Sequence, residues 1–216
     1  MARVKRLVSF YLMIGVYLRL ESYQRVTKDL IESVRESLTR VDLDQVEKMV
    51  VEMLASTDRR ILVLGAGRSG LMGRAFAMRL MHLGFQVYVM GETITPSIGR
   101  GDLIIALSGS GTTKLVVTAA EIGKTVGARI IAITSYLDSD IAKLADHIVI
   151  IKGRTKVADE RDYFLRQLMG EHEPMAPLGT VFEVSMMTFL DGIVVELMRR
   201  LGLTENELRK RHATIE

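Results

Sequence analysis

The densest chemistry in this chain lies in Ser108-Gly-Ser-Gly-Thr-Thr113. Hydroxyls on Ser108, Ser110, Thr112 and Thr113 stand there with Gly109 and Gly111. An apolar run, Leu103–Leu107, ends where they begin, and an apolar helical pattern starts at Lys114. That order reads as a buried strand, a tight loop and a helix N-terminus. The first-turn N–H groups of a helix lack intrahelical partners and lie at the positive end of its dipole, so such a corner attracts anions. The glycines let the backbone come close to a ligand. One hydroxyl is enough to cap the helix, which leaves the other three and both glycines unaccounted for. Phosphate is the expected guest.

A second glycine-rich corner, Gly65-Ala-Gly-Arg-Ser-Gly70, follows the apolar run Ile61–Leu64. It matches the dinucleotide-binding pattern GxGxxG, and Glu92 stands roughly 20 residues beyond it, where a ribose-binding carboxylate would be sought. Three features oppose that reading. Arg68 and Ser69 suit a small anion as well as a pyrophosphate. Glu92 falls after Gly91, inside a Gly-Glu-Thr-Ile-Thr-Pro loop. The richer hydroxyl loop comes two strands later, and a dinucleotide fold does not require it. Gly67, Arg68 and Ser69 are therefore read as joining the phosphate loop.

Glu183 is the carboxylate best suited to moving a proton. It opens an apolar helix among Phe182, Val184, Met186 and Met187, company that would raise its pKa toward neutrality. Its spacing from Thr180 also fits a capping box, a purely structural role. The residues alone leave both open. Glu92 and Thr93, at the carboxyl end of the second strand, are candidates for sugar hydroxyls, with Thr95 nearby. Arg68 is a candidate for charge on a phosphate or on an oxyanion, or for an ordinary salt bridge. His82, spaced with Met78 and Met81, reads as a packing residue.

The elements that must hold these groups alternate. Apolar runs at Ile61–Leu64, Val87–Met90, Leu103–Leu107, Ile130–Ile133 and His147–Ile151 are separated by helical patterns at Ser69–Leu83, Lys114–Val126 and Ile141–Ala145. Such alternation predicts an α/β fold, a doubly wound five-stranded parallel sheet flanked by helices, with ligands at the carboxyl ends of the strands. Thr27–Ala55 predicts two helices with a break near Asp42, an N-terminal helical arm over residues 1–56 ahead of the domain at 57–216. A polar stretch from Lys152 to Leu178 contains His172, which receives no role. The long apolar helix Val181–Leu201 and a short one, Glu205–Arg211, follow.

Composition narrows the functions. Net charge is +3, Trp is absent, and no basic run is interleaved with aromatics, so nucleic acid is not an expected partner. Zero Cys removes disulfides, thiolate metal sites and cysteine nucleophiles. The four histidines, His82, His147, His172 and His212, have no metal-ligand spacing. A basic start followed by apolar Leu7–Leu18 looks like a signal peptide's first regions, yet it lacks a small-x-small cleavage site and is short for a membrane span. The expectation is a cytoplasmic protein with no membrane partner.

The paired loops, Gly65-Ala-Gly-Arg-Ser-Gly70 and Ser108-Gly-Ser-Gly-Thr-Thr113, resemble those of the sugar isomerase (SIS) domain. Within that superfamily, Phe76–Gly84, Gly91–Pro96, Pro177-Leu-Gly-Thr-Val-Phe-Glu183 and Lys210-Arg-His-Ala-Thr214 resemble 6-phospho-3-hexuloisomerases from about residue 25 to the end. The resemblance implies interconversion of D-arabino-3-hexulose 6-phosphate and D-fructose 6-phosphate in the ribulose monophosphate pathway. It also implies no cofactor, no metal, a homotetramer, and 3-hexulose-6-phosphate synthase as pathway partner. It favours Glu183 as the base and makes His212 a second acid–base candidate, in its own or a neighbouring subunit's site. Two alternatives accompany it: another phosphosugar isomerase, or a sugar-phosphate sensor of the kind that normally carries a DNA-binding domain. The first 55 residues show no clear helix-turn-helix pattern for the latter.

Overall fold

The computed structural model describes residues 21–153, 177, 179–212 and 214. The apolar Leu7–Leu18 run and His172 lie outside them. Two helices come first, α1 (Glu21–Thr39) and α2 (Leu43–Leu54). Asp42 breaks them apart by capping α2, its Oδ1 accepting from the Asp44 N–H at 2.8 Å. Five strands and their crossovers follow: β1 (Arg60–Gly65), α3 (Gly67–Leu83), β2 (Gln86–Val89), β3 (Leu103–Leu107), α4 (Lys114–Thr125), β4 (Arg129–Thr134), α5 (Asp140–Leu144) and β5 (His147–Ile150). The chain finishes with α6 (Thr180–Arg200) and α7 (Glu205–Arg209).

All neighbouring strands pair in parallel, in the order β2-β1-β3-β4-β5. Side chains alternate across this sheet because successive Cβ atoms point to opposite faces. Val63, Ile105 and Leu107 enter one core with Met49, Met53 and Phe76 from α2 and α3, and with Met186 and Leu190 from α6. Leu64, Ile104 and Ala106 enter the other with Val116 and Ala120 from α4 and Ile141 from α5. Every residue of β3 is buried, as a central strand covered on both faces must be.

Residues read as an arm take part in that first core. Met49, Val50 and Met53 of α2 are fully buried, and the Gln45 side chain ties α2 to β5 by accepting from the Ile150 N–H at 2.9 Å. Helix α1 packs along α6.

This strand order fixes where a ligand can enter. From β1 the chain crosses to β2 on one side, whereas from β3 it crosses to β4 on the other. Between them lies the switch point at which open α/β sheets form a crevice. The last paired residues of the two strands are Gly65 and Leu107, so both corners leave the sheet about 5 Å apart.

Candidate active site

The β1–α3 corner depends on glycine for proximity. A Cβ on Gly70 would stand 2.9 Å from the Gly65 carbonyl oxygen, and one on Gly65 would stand 2.9 Å from the Gly70 Cα. Backbone lies directly against backbone, which pulls the N-terminus of α3 onto the strand end. Arg68 and Ser69 are carried in its first turn, at the edge of the crevice.

The β3–α4 corner is a lattice of hydroxyls. Ser108 Oγ lies 3.1 Å from Thr113 Oγ1 and accepts from the Gly111 N–H at 3.1 Å. Ser110 Oγ accepts from the Thr112 N–H and from the Thr112 hydroxyl, each at 3.3 Å. Thr113 is the N-cap residue of α4 but makes no capping hydrogen bond with its side chain.

The β4–α5 connection backs this loop. The Ser135 N–H donates to the Gly109 carbonyl at 3.1 Å, and the Ile141 N–H donates to that of Gly111 at 3.0 Å. Gly111 has φ +67°, and a Cβ there would stand 2.1 Å from Ser139 Oγ and 2.9 Å from Thr134 Oγ1. Thr134, Ser135 and Ser139 are all buried. Sequence reasoning assigned them nothing. Their signal was a hydroxyl pair directly after an apolar run, the same pattern that marks Ser108.

The third wall is the start of α6. The Phe182 ring lies on Gly109, where a Cβ would come within 2.7 Å of it. Glu183, the next residue, turns its carboxylate into the crevice, with Oε2 at 2.5 Å from Arg68 Nε. Its side chain is 13 % exposed against 54 % for the arginine. Of the apolar neighbours foreseen from the sequence, Phe182 lines the cleft beside Glu183, and the Arg68 guanidinium lies directly against the carboxylate.

The capping-box alternative for Glu183 does not form. Helix α6 begins after Gly179, whose left-handed φ of +88° makes it the N-cap, and Thr180 already lies inside the helix. Thr204–Glu207, with the same spacing, does form a box: Glu207 Oε2 accepts from the Thr204 N–H at 2.7 Å.

Together these walls enclose a cleft of about 510 Å³, the size of an ordinary small-molecule site. Of the residues singled out in the sequence, Gly67, Arg68, Ser69, Ser108, Ser110, Thr113 and Glu183 line it. Thr112 is exposed beside it, bonded to Ser110. Glu92 does not line it, being paired with Arg74 at 3.0 Å in a separate depression along α3 and β2. Thr93 is exposed, and Thr95 bonds back to the Val89 carbonyl at 2.8 Å. His212 stacks on buried His82 with ring centroids 3.9 Å apart. His82 sits near the far end of α3, about 21 Å along the helix from Arg68. Met78 and Met81, grouped with His82 by spacing, are 45 % and 44 % exposed.

Among the described residues no group of three or more His, Cys, Asp or Glu could hold a metal ion. No described helix is long and apolar enough to cross a membrane.

A crevice at the switch point of a parallel sheet, floored by a serine-threonine loop, defines a class. Residues 53–169 match the SIS domain, and the chain belongs to that family. Its relatives narrow the position. An uncharacterised protein of Aeropyrum pernix is 54 % identical over 83 % of this chain and 86 % of its own length. The 3-hexulose-6-phosphate isomerase of Methylomonas aminofaciens is 38 % identical over 86 % of this chain and 97 % of that one. A solved Methanococcus jannaschii structure, for which a 3-hexulose-6-phosphate isomerase function was inferred, is 33 % identical and superposes with a TM-score of 0.70, covering 91 % of this chain and 99 % of that one. This kinship makes the chain an isomerase.

Proposed function

We propose that the protein is a 6-phospho-3-hexuloisomerase, interconverting D-arabino-3-hexulose 6-phosphate and D-fructose 6-phosphate. The observation that carries this reading is the Glu183 carboxylate, suspended in one cleft with the hydroxyl loop and paired with Arg68. The similarity to relatives bearing that isomerase name supports the choice of substrates.

The phosphate group is held by Ser108, Ser110 and Thr113, with Ser69 contributing from the facing corner and Thr112 bracing Ser110. The N-terminus of α4, at the positive end of the helix dipole, adds to that grip. Three carbon–carbon bonds separate C6 from C3, so a fixed phosphate presents the reacting carbons deeper in the cleft. Glu183 takes the proton from C3 of fructose 6-phosphate. The electron pair of that C–H bond forms the C2–C3 double bond, and the C2 carbonyl becomes an enediolate oxygen. Arg68 stabilises that charge as it develops. Protonated Glu183 then returns its proton to C2, and the hydroxyl proton of O3 moves to O2. The electron pair of the C2–C3 double bond shifts to C2 as C3 becomes the carbonyl of the 3-ketose. Anchoring the remote phosphate makes the proton transfers effectively intramolecular.

On the same reading the enzyme works as a cytoplasmic homotetramer in the ribulose monophosphate pathway beside 3-hexulose-6-phosphate synthase. His212 then serves a neighbouring subunit, since its own cleft is about 21 Å away along α3. Glu92 and Thr93 are assigned to sugar hydroxyls in the same way, through a shift of their loop or across a subunit boundary.

The test is a coupled assay. Fructose 6-phosphate is incubated with the protein and a separate 3-hexulose-6-phosphate synthase in the presence of EDTA. Ribulose 5-phosphate and formaldehyde are the expected products. Their absence, from folded protein that binds fructose 6-phosphate, would overturn the substrate assignment.

A further inference from the structure

We propose that Gly153 and Phe182 are positioning residues: together they set how far Glu183 reaches into the cleft. This rests on reading Glu183 as the base. Gly153 follows the fully buried Ile151 beyond the end of β5. A Cβ at position 153 would stand 2.7 Å from the N, Cα and Cβ of Phe182. These are main-chain atoms and the root of the side chain, which cannot swing aside as a side-chain tip can. On the other flank the Phe182 ring covers Gly109 just as closely. Phe182, 2 % exposed, is thus seated between two glycines, its backbone over one and its ring over the other.

Glu183 is the next residue along. Any lift of the first turn of α6 moves its carboxylate away from Arg68 and from the reacting carbons. Gly153 is not among the glycines with left-handed φ, so its backbone accepts alanine without strain. Its requirement is closeness alone, and an added methyl group acts through Phe182. Besides the Phe182 ring, the phosphate loop has fixings that do not involve α6, in the Ser108–Thr113 contact and in Ser135 and Ile141 behind it. Displacing α6 therefore separates chemistry from anchoring.

Gly153→Ala is the test, read by steady-state kinetics, by inhibition with inorganic phosphate, and by a double-mutant cycle with Glu183→Gln. The expected result is a fall in kcat of about 10- to 100-fold, the cost of roughly 1 Å of misplacement. KM and the inhibition constant of inorganic phosphate should stay within about two-fold. Glu183→Gln should then cost much less in the Gly153→Ala background than in the parent, because both act on one carboxylate. An unchanged kcat, a parallel loss of phosphate inhibition, or full multiplication of the two defects would overturn the proposal. If Gly153→Ala does not fold, Phe182→Leu decides. It keeps the main chain over Gly153 and removes the ring from Gly109, so kcat should drop with phosphate inhibition retained, and parental kcat would overturn the proposal. Should Glu183→Gln itself keep parental kcat, the base assignment fails, whatever Gly153→Ala does.

Discussion

Leaving the sheet from paired residues, the β1–α3 and β3–α4 corners are built in different ways. At β3–α4, hydroxyls bond to one another and to backbone N–H groups, and the β4–α5 connection fixes two carbonyls from behind. Such a loop is ordered before any ligand arrives, which suits the recognition of a fixed, highly charged group. At β1–α3 the glycines give proximity alone, and the functional contact is a single ion pair reaching across to α6. A half-exposed guanidinium can follow charge as it moves from a carboxylate to a substrate oxygen. On the proposed reading, the β3–α4 corner is organised to bind and the β1–α3 corner to react.

Four substitutions can break or sharpen that contrast. Glu183→Gln has the largest expected effect, a loss of about 10³-fold in kcat with folding intact, since it removes the base and keeps the shape; kinetics with a melting curve checks it. Arg68→Ala follows, with kcat down about 100-fold, as for loss of one preorganised charge donor. If Arg68→Ala changes KM alone, the arginine belongs with the binding corner. Ser110→Ala should raise KM about 10-fold and spare kcat, because it removes one hydrogen bond to a charged group. Arg200→Ala is the smallest and serves as a control at the opposite end of α6. Arg200 bonds Glu47 and Glu196, both of which it holds below the usual carboxyl range. Its loss should lower Tm slightly and leave kcat and KM unchanged.

The pH dependence of that control has a defined sign. Arg199 first and Arg200 second pull the Glu196 carboxyl from 4.5 down to about 2. A folded value below the unfolded one contributes stability above about pH 4.5, and the contribution fades as pH falls toward 2. The Tm difference between the parent and Arg200→Ala should therefore shrink over that interval. Salt should shrink it too, because the groups are exposed.

The fold was legible where local pattern and tertiary role coincide. Leu103–Leu107 is apolar at every position because both faces of a central strand are covered, and the Ser-Gly-Ser-Gly break after it marks the turn into α4. The interruption near Asp42 between two helical patterns marked the break between α1 and α2, where the structure shows Asp42 capping α2. The Arg68–Glu183 ion pair was not legible, since 115 residues separate the two and the packing of α6 against α3 brings them together. Thr180–Glu183 and Thr204–Glu207 have identical local spacing, yet in one the carboxylate lines the cleft and in the other it caps a helix. The difference comes from Gly179 and from the packing of Phe182 on Gly109, which no window around Thr180 contains. Gly153 was hidden for the same reason: its neighbour in space lies across the fold.

The most direct test is the affinity of the Glu183→Gln and Ser110→Ala variants for fructose 6-phosphate, measured by titration calorimetry. The account predicts that Glu183→Gln, although inactive, binds as the parent does, whereas Ser110→Ala, although active, binds about 10-fold more weakly. Parental affinity in Ser110→Ala together with lost affinity in Glu183→Gln would contradict the division between a binding corner and a reacting one.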